Sequence, residues 1–147
     1  MTSRDAFTFF HPLRVRWAEV DAQGIVFNPH YLAYFDIALM EYMRGIGFPY
    51  PDGLSGFGTD IFAVSAGLNF KASAVFDDEV DLAARVAQIG RTSLTFAMAV
   101  FRGDQLIVDG TMVYVNGDRE TKTPTPLPPP FLDRILAFEK QQPDRKS

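Results

Sequence analysis

The sequence predicts an α+β domain in which a five-stranded, largely antiparallel sheet surrounds one long buried helix. Three observations predict it. Residues 29–44 are apolar almost all the way round a helix, several later stretches alternate apolar and polar side chains, and short glycine-containing turns join the last three of them. Strands joined by such turns run antiparallel, so they form one sheet.

The composition limits the class of protein. The chain has 147 residues, 47% of them hydrophobic, which suits a single domain over 1–147 with its core at about 8–116. A net charge of −4 without basic runs argues against nucleic acid as the main partner. No cysteine is present, which excludes disulfides and thiolate chemistry, and two histidines argue against a histidine-rich metal site. The N-terminal residues contain no apolar core of the secretory type, so we expect a cytoplasmic protein.

The first element is a strand predicted over residues 7–17, which are rich in aromatic and β-branched side chains. Leu13 and Val15 alternate with Arg14 and Arg16, as expected for a strand that buries one face. A turn then leads into the long helix.

The long helix is predicted to begin at Pro29 and to end near Gly45. Asn28 is a good N-cap residue, and Pro29 is tolerated at the first helical position. Asp36 and Glu41 are the strong polar interruptions in a nearly continuous apolar surface. With roughly 15 residues the helix falls short of the ~20 that a membrane span needs, so we predict a core helix and no membrane association.

The remaining chain predicts four more strands and a short helix. The strands are predicted at 59–71, 79–89, 93–102 and 105–115. Residues 48–58, dense in proline and glycine, are a candidate lid or rim. Within the C-terminal segment 121–147 a proline-rich stretch is extended, 131–140 form a terminal helix, and a polar tail follows. Because one helix covers only one face of the sheet, we expect a second subunit on the other face.

The turn before the long helix reads VDAQGIVFNPHY, an acid, a glycine, an apolar run and a helix start in a fixed order. The sequence here resembles the hotdog-fold acyl-CoA thioesterases of the 4-hydroxybenzoyl-CoA thioesterase family. The resemblance is carried by Asp21, Gly24, Ile25, Val26, Phe27, Pro29 and Tyr31. LNFKASAVFDDEVDL and IGRTSLTF add weaker support, and together the motifs cover most of 15–115. The resemblance implies a homo-oligomer, a dimer or tetramer, with active sites at subunit boundaries, that hydrolyses acyl-CoA to a free acid and coenzyme A.

Thioester hydrolysis needs a carboxylate, donors that polarise the carbonyl, and a grip on coenzyme A, but no metal or redox cofactor. By family resemblance Asp21 is the nucleophile or general base. The backbone N–H of Asn28 matches the family position that polarises the thioester oxygen, at a helix N-terminus whose dipole favours this. Pro29 has no N–H, so His30 and Tyr31 supply the next amides.

Coenzyme A carries phosphates, so cations beside the cleft are expected to matter more than net charge. Arg91, Thr92 and Ser93 lie in the hairpin whose counterpart in relatives contacts the nucleotide, and Lys71 ends the earlier predicted strand 59–71. Exposed cations at turns are also the ordinary surface choice. Four aromatic residues either line an acyl pocket or belong to the core: Phe27, Tyr31, Tyr34 and Phe48.

Several alternatives stay open. Asp21 and Gly24 also fit the first and fourth positions of an ordinary type I turn. Relatives carry His or Tyr where this chain has Asn28. A mechanism that uses the side chain at this position as an acid or as a carbonyl contact is therefore an open question for this chain. A hydratase or dehydratase acting on enoyl or 3-hydroxyacyl thioesters would use His30 with Asp21. A non-catalytic acyl-CoA-binding module is the third interpretation.

Overall fold

The computed structural model describes residues 2–146, which form a six-stranded sheet and two helices longer than one turn. The elements are β1 (Phe9–Arg14), α1 (Pro29–Gly45), β2 (Thr59–Phe70), β3 (Glu79–Ile89), β4 (Ser93–Arg102), β5 (Gln105–Asp118), α2 (Pro129–Phe138) and β6 (Asp144–Arg145). The sheet order is β1-β3-β4-β5-β2 with antiparallel neighbours, while β6 pairs parallel to β3 beside β1. The predicted antiparallel sheet is therefore present, but the predicted count of five strands is wrong, because the tail forms β6.

The observed bounds follow the predictions most closely where side chains alternate. β3 and β4 have the predicted bounds, and α1 begins at Pro29 as predicted. β1 is shorter than the predicted 7–17, because a 3-10 turn over Trp17–Glu19 replaces its last residues and Phe7 packs elsewhere. The terminal helix begins two residues earlier than predicted, with Pro129 in its first turn, where a missing N–H costs nothing.

α1 packs across the inner face of the sheet, against β1, β3 and β4. Its buried residues recur at helical spacing: Tyr31, Tyr34, Phe35, Ala38, Leu39, Tyr42 and Met43. Gly110 of β5 permits this close packing, since a Cβ there would lie 2.6 Å from the Phe35 ring and would meet the Gly67 carbonyl. The apolar face of α1 thus fixes the helix, and its N-terminus, relative to the sheet.

The N-terminal segment covers part of the outer face of the sheet. Phe7 is fully buried there and lies edge-on to Phe101, with 6.1 Å between ring centroids. Arg4 donates to Asp81 at 2.9 Å and stacks over the Phe10 ring at 4.5 Å. Part of the face on which we expected a second subunit is therefore covered by the same chain, because Phe7 is buried against it and Arg4 packs over Phe10.

The segment after β5 packs into the hydrophobic core. Leu127, Phe131 and Ile135 are buried in the same apolar cluster as α1. Loop 48–58 is also fixed to the sheet, because the Arg119 guanidinium donates to the carbonyl oxygens of Thr59 at 3.0 Å and Pro51 at 2.8 Å. The loop is a tethered rim, and the geometry does not support a free lid.

Candidate active site

A tight hairpin carries the acid in front of α1. An antiparallel bridge joins Val20 to Val26, and Asp21 N–H donates to the Ile25 carbonyl at 2.9 Å. Gly24 N–H donates to the Asp21 carbonyl at 2.9 Å, and Gly24 has φ +81°. This is a type I turn followed by a left-handed residue, a position that favours glycine. The turn interpretation of Asp21 and Gly24 is therefore geometrically correct.

Only one of the two carboxylate oxygens of Asp21 accepts a hydrogen bond within the turn. Oδ1 accepts the Gln23 N–H at 2.8 Å, a local bond typical of aspartate in turns. Within residues 2–146, Oδ2 accepts no hydrogen bond, and the side chain is half-buried. The same residue can thus shape the turn with one oxygen and present the other to a ligand.

The start of α1 differs from the prediction at Asn28. The residue already has helical angles, φ −48° and ψ −43°, and its side chain makes no capping hydrogen bond. The predicted N-cap role is wrong, because an N-cap residue needs an extended backbone to turn its side chain towards the following amides. Its backbone N–H, in contrast, has no partner in the described part of the chain.

The next two amides are already occupied. His30 N–H donates to the Phe27 carbonyl at 2.8 Å, and Tyr31 N–H donates to the Asn28 carbonyl at 3.1 Å. The Tyr31 side chain is fully buried, and its hydroxyl accepts the Ala74 N–H at 3.0 Å. The His30 ring lies edge-on to Phe27, at 6.0 Å between centroids, and makes no hydrogen bond to any described residue. Of the three predicted donors, only Asn28 has its amide available.

A buried acid that the sequence analysis did not single out lies beneath the hairpin. Glu19 is 7% exposed, and its Oε1 accepts the Arg16 N–H and the Tyr34 hydroxyl, both at 2.8 Å. Its Oε2 accepts the Arg16 guanidinium at 2.6 Å and 3.1 Å. Burial alone would raise the pKa of Glu19, but the hydrogen bonds from Arg16 and Tyr34 outweigh it and lower the pKa. The Arg-x-x-Glu spacing, which resembles a capping box, was the available signal.

A groove runs between α1 and β2, starting at the residue after Asn28. This α1–β2 groove has a volume of about 620 Å³ and is lined by Pro29, Leu32, Ala33, Asp36, Ala63, Val64, Ser65, Ala66, Met112 and Tyr114. Burial, reinforced by the charge of Asp36, raises the pKa of Tyr114. Asp36 is the charged group in a mostly apolar lining.

None of the four aromatic residues considered for an acyl pocket lines this groove. Tyr31 and Tyr34 are fully buried in the core, and Phe48 packs edge-on to Phe131. Phe27 is half exposed beside His30. Other residues of α1, mostly small residues of β2, and Met112 and Tyr114 of β5 form the groove instead.

Lys71 lies at the same end of the molecule as the hairpin. It follows directly after Phe70, whose ring is 5.9 Å from that of Tyr31, and its N–H donates to the Ile107 carbonyl at 2.8 Å. Its side chain is exposed. Lys71 therefore lies at the end of the sheet that also carries the hairpin.

The other predicted coenzyme A residues lie at the opposite end. Arg91, Thr92 and Ser93 form the β3–β4 hairpin, whereas the first residue of β3 pairs with Arg14 near the Asp21 turn. The 11 residues of β3 separate the two ends by roughly 35 Å. Within one chain, this hairpin and the acid are not brought together.

In residues 2–146, no three side chains of the types His, Cys, Asp and Glu form a group that would hold a metal ion. Over the same residues, no helix is both long enough and apolar enough to cross a membrane.

Comparisons with known proteins show which family the chain resembles. Residues 23–108 match the family model of the thioesterase superfamily, a range that begins just after Asp21. An Aquifex aeolicus protein named as a candidate esterase is 32% identical over 96 residues, 65% of this chain and 74% of that protein. The acyl-CoA thioesterase YbgC of Haemophilus influenzae is 23% identical over 104 residues, 71% of this chain and 76% of that protein. A Thermus thermophilus thioesterase, solved with coenzyme A and Zn, has a TM-score of 0.78 and 27% identity, covering 92% of this chain and 96% of its own.

Proposed function

Because this chain belongs to the thioesterase superfamily, we propose that it hydrolyses an acyl-CoA thioester to a free acid and coenzyme A. One observation supports this most: a single hairpin carries the Asp21 carboxylate, with Oδ2 available, on one arm and the available Asn28 N–H on the other. These are the two groups that attack on a thioester requires, a base or nucleophile and a carbonyl donor. We therefore narrow the predicted donors to the Asn28 amide.

Asp21 has two possible roles, and both use the same oxygen. As a general base, the carboxylate removes a proton from water while the water oxygen attacks the carbonyl carbon. As a nucleophile, the carboxylate attacks directly, forms a mixed anhydride and is released when water hydrolyses it. In either route the Asn28 N–H donates to the carbonyl oxygen as it gains negative charge, the C–S bond breaks, and the thiolate of coenzyme A leaves and takes up a proton.

The α1–β2 groove is proposed to hold the acyl group. It begins at Pro29, beside the Asn28 amide, and its apolar lining suits an aromatic ring or an alkyl chain. Asp36 lies seven residues further along α1, about 10 Å away at 1.5 Å per residue. An acyl group with a hydroxyl or amine donor at its distal end would bond to this carboxylate, so we expect such acyl groups to be preferred.

Coenzyme A binding is proposed to involve more than one copy of the chain. Lys71 lies at the site end, while Arg91, Thr92 and Ser93 lie roughly 35 Å from it along β3. We therefore assign these three residues to the coenzyme A that a neighbouring subunit of a dimer or tetramer binds. β2 is an edge strand whose residues 63–67 are exposed, and such an edge can pair with another copy of the chain, which supports this association.

The hydratase alternative is less well supported. It requires a histidine that works with a carboxylate, but the His30 ring packs on Phe27 and bonds no carboxylate among the described residues. A non-catalytic binding module would not require the available Oδ2 of Asp21, so this alternative does not explain that feature.

Thiol release separates these functions. We would assay the wild-type protein with 4-hydroxybenzoyl-, benzoyl-, butyryl- and palmitoyl-CoA, using Asp21→Asn protein from the same preparation to detect contaminating thioesterases. We expect thiol release by the wild type alone, fastest with a donor-bearing acyl group. Loss of the crotonyl-CoA double bond without thiol release would instead establish a hydratase, and tight binding without turnover would establish a binding module.

A further inference from the structure

The hairpin that carries the proposed catalytic groups is closed at its base by Glu19. The Glu19 carbonyl accepts the Phe27 N–H at 2.9 Å, two residues before Asp21 on one arm and one residue before Asn28 on the other. The Phe27 carbonyl accepts the His30 N–H at 2.8 Å. The Phe27 C=O and the Asn28 N–H belong to the same planar trans peptide group and point in opposite directions. These two bonds therefore determine where the Asn28 N–H points.

The side chain of Glu19 ties this base to the helix. Its carboxylate accepts four hydrogen bonds, two at each oxygen, from Arg16 on the chain before it and Tyr34 on α1. Tyr34 lies on the buried face of α1, so its hydroxyl moves with the helix. One residue thus connects three elements: the strand exit, the hairpin and α1.

We infer that Glu19 is a positioning residue, whose carboxylate and carbonyl hold the two arms of the hairpin so that Asp21 and the Asn28 N–H face the same thioester. This inference rests on the proposed function. Only a carboxylate satisfies the site, because Arg16 donates to both oxygens, whereas a glutamine in either orientation would turn its NH₂ group towards an N–H of Arg16.

The chain contains a matched control for this role. Glu139 is also buried and also accepts a tyrosine hydroxyl of α1, from Tyr42 at 2.6 Å, but it bonds the Val86 N–H and lies at the far end of the helix. Removal of either carboxylate should weaken the fold. Only removal of Glu19 should disturb the hairpin.

The test compares Glu19→Gln with Glu139→Gln, measuring kcat and KM per folded molecule on the best acyl-CoA substrate. A small displacement of catalytic groups costs on the order of 10- to 100-fold, so we expect a kcat loss of that size for Glu19→Gln with KM changed by less than about threefold. Glu139→Gln should keep wild-type kcat. Wild-type kcat in folded Glu19→Gln would overturn the inference.

Two further measurements keep the test decisive. If Glu19→Gln does not fold, Tyr34→Phe replaces it, with Tyr42→Phe as its control. We then expect a smaller kcat loss for Tyr34→Phe alone, and equal kcat values for the two variants would overturn the inference.

Amide NMR tests the positioning without any turnover. The Asn28 N–H signal should shift, and the Phe27 N–H should exchange faster, in Glu19→Gln but not in Glu139→Gln. Unchanged signals would contradict the inference. A wild-type protein that releases no thiol from any substrate would instead contradict the proposed function, and the NMR comparison would still report on Glu19.

Discussion

The two ends of α1 carry the same pair of side chains in different settings. At the N-terminal end Tyr34 donates to Glu19, and at the C-terminal end Tyr42 donates to Glu139. Arg16 also bonds Glu19, and this hydrogen bonding outweighs burial and lowers the pKa of Glu19. No cation bonds Glu139 among the described residues, and burial, the larger effect, raises the pKa of Glu139.

The difference separates two tasks. The C-terminal pair joins α1 to β3 and to the segment after α2, and one carboxyl oxygen, Oε1 of Glu139, has no partner. That pair holds the fold together at some electrostatic cost. The N-terminal pair is satisfied at both oxygens and lies directly beneath available polar groups, so its role is to orient them.

The largest loss of stability should come from a substitution that disturbs the packing of the whole helix α1 on the sheet. Gly110→Ala places a Cβ against the Gly67 carbonyl oxygen and 2.6 Å from the Phe35 ring, so either β2 or α1 would have to move away. We expect a loss of about 1–3 kcal/mol in the free energy of unfolding, measured by urea titration.

Gly67→Ala is the matched control for this substitution. It lies on the neighbouring strand β2, and a Cβ there has no atom within 4 Å, so it should cost much less. Equal losses for the two alanine variants would show that strand propensity, and not helix packing, determines the effect.

The pH dependence of stability should have opposite signs at the two ends. The pKa of Glu139 is raised in the folded protein, so the folded protein holds this proton more tightly than the unfolded chain. The contribution of Glu139 to the free energy of unfolding therefore falls as pH rises from the ordinary carboxyl pKa to the pKa in the folded protein. Glu19 has a lowered pKa, so its contribution is present above the ordinary pKa and is lost as pH falls through the folded one.

The urea midpoints of the wild type and the two Gln variants should be measured from pH 3 to 8. As pH rises, the wild-type midpoint should fall relative to that of Glu139→Gln. As pH falls, the wild-type midpoint should fall relative to that of Glu19→Gln. Parallel curves for both variants would remove the electrostatic distinction between the ends.

The smallest effect should come from Asn28→Ala. Its side chain forms no capping bond, so we expect the free energy of unfolding to change by no more than about 0.5 kcal/mol, as at an ordinary surface position. The backbone N–H remains, so thiol release should continue. A loss of about 1 kcal/mol would restore the N-cap prediction.

The sequence predicted those parts of the fold that depend on local periodicity. The alternating side chains of β3 and β4 were sufficient for their bounds, and Pro29 marked the helix start. The N-cap prediction failed at Asn28, because residue preference does not determine the backbone angles of a tight hairpin. β6 and the burial of Phe7 were not predicted, since both depend on contacts between residues far apart in sequence.

The candidate site was predictable only in part. The motif placed Asp21 and the Asn28 amide in one segment, but Glu19 was missed, because an acid in a strand exit resembles a surface residue until Tyr34 packs against it. Arg91 was predicted from family resemblance, and its distance from Asp21 follows only from the strand register. The Arg-x-x-Glu spacing indicated the bond between Arg16 and Glu19, but no local signal indicated the contact with Tyr34.

The proposed role of Asp21 in chemistry, rather than in substrate binding, can be tested in a single variant. Turnover and acyl-CoA affinity are measured together in Asp21→Asn, with Asp104→Asn, an exposed acid of the β4–β5 turn, as the charge-matched control. Asparagine can still accept the Gln23 N–H, so we expect a folded protein with near wild-type affinity and a turnover loss of at least ~100-fold, while Asp104→Asn stays fully active. Full turnover in Asp21→Asn would show that Asp21 is neither the base nor the nucleophile.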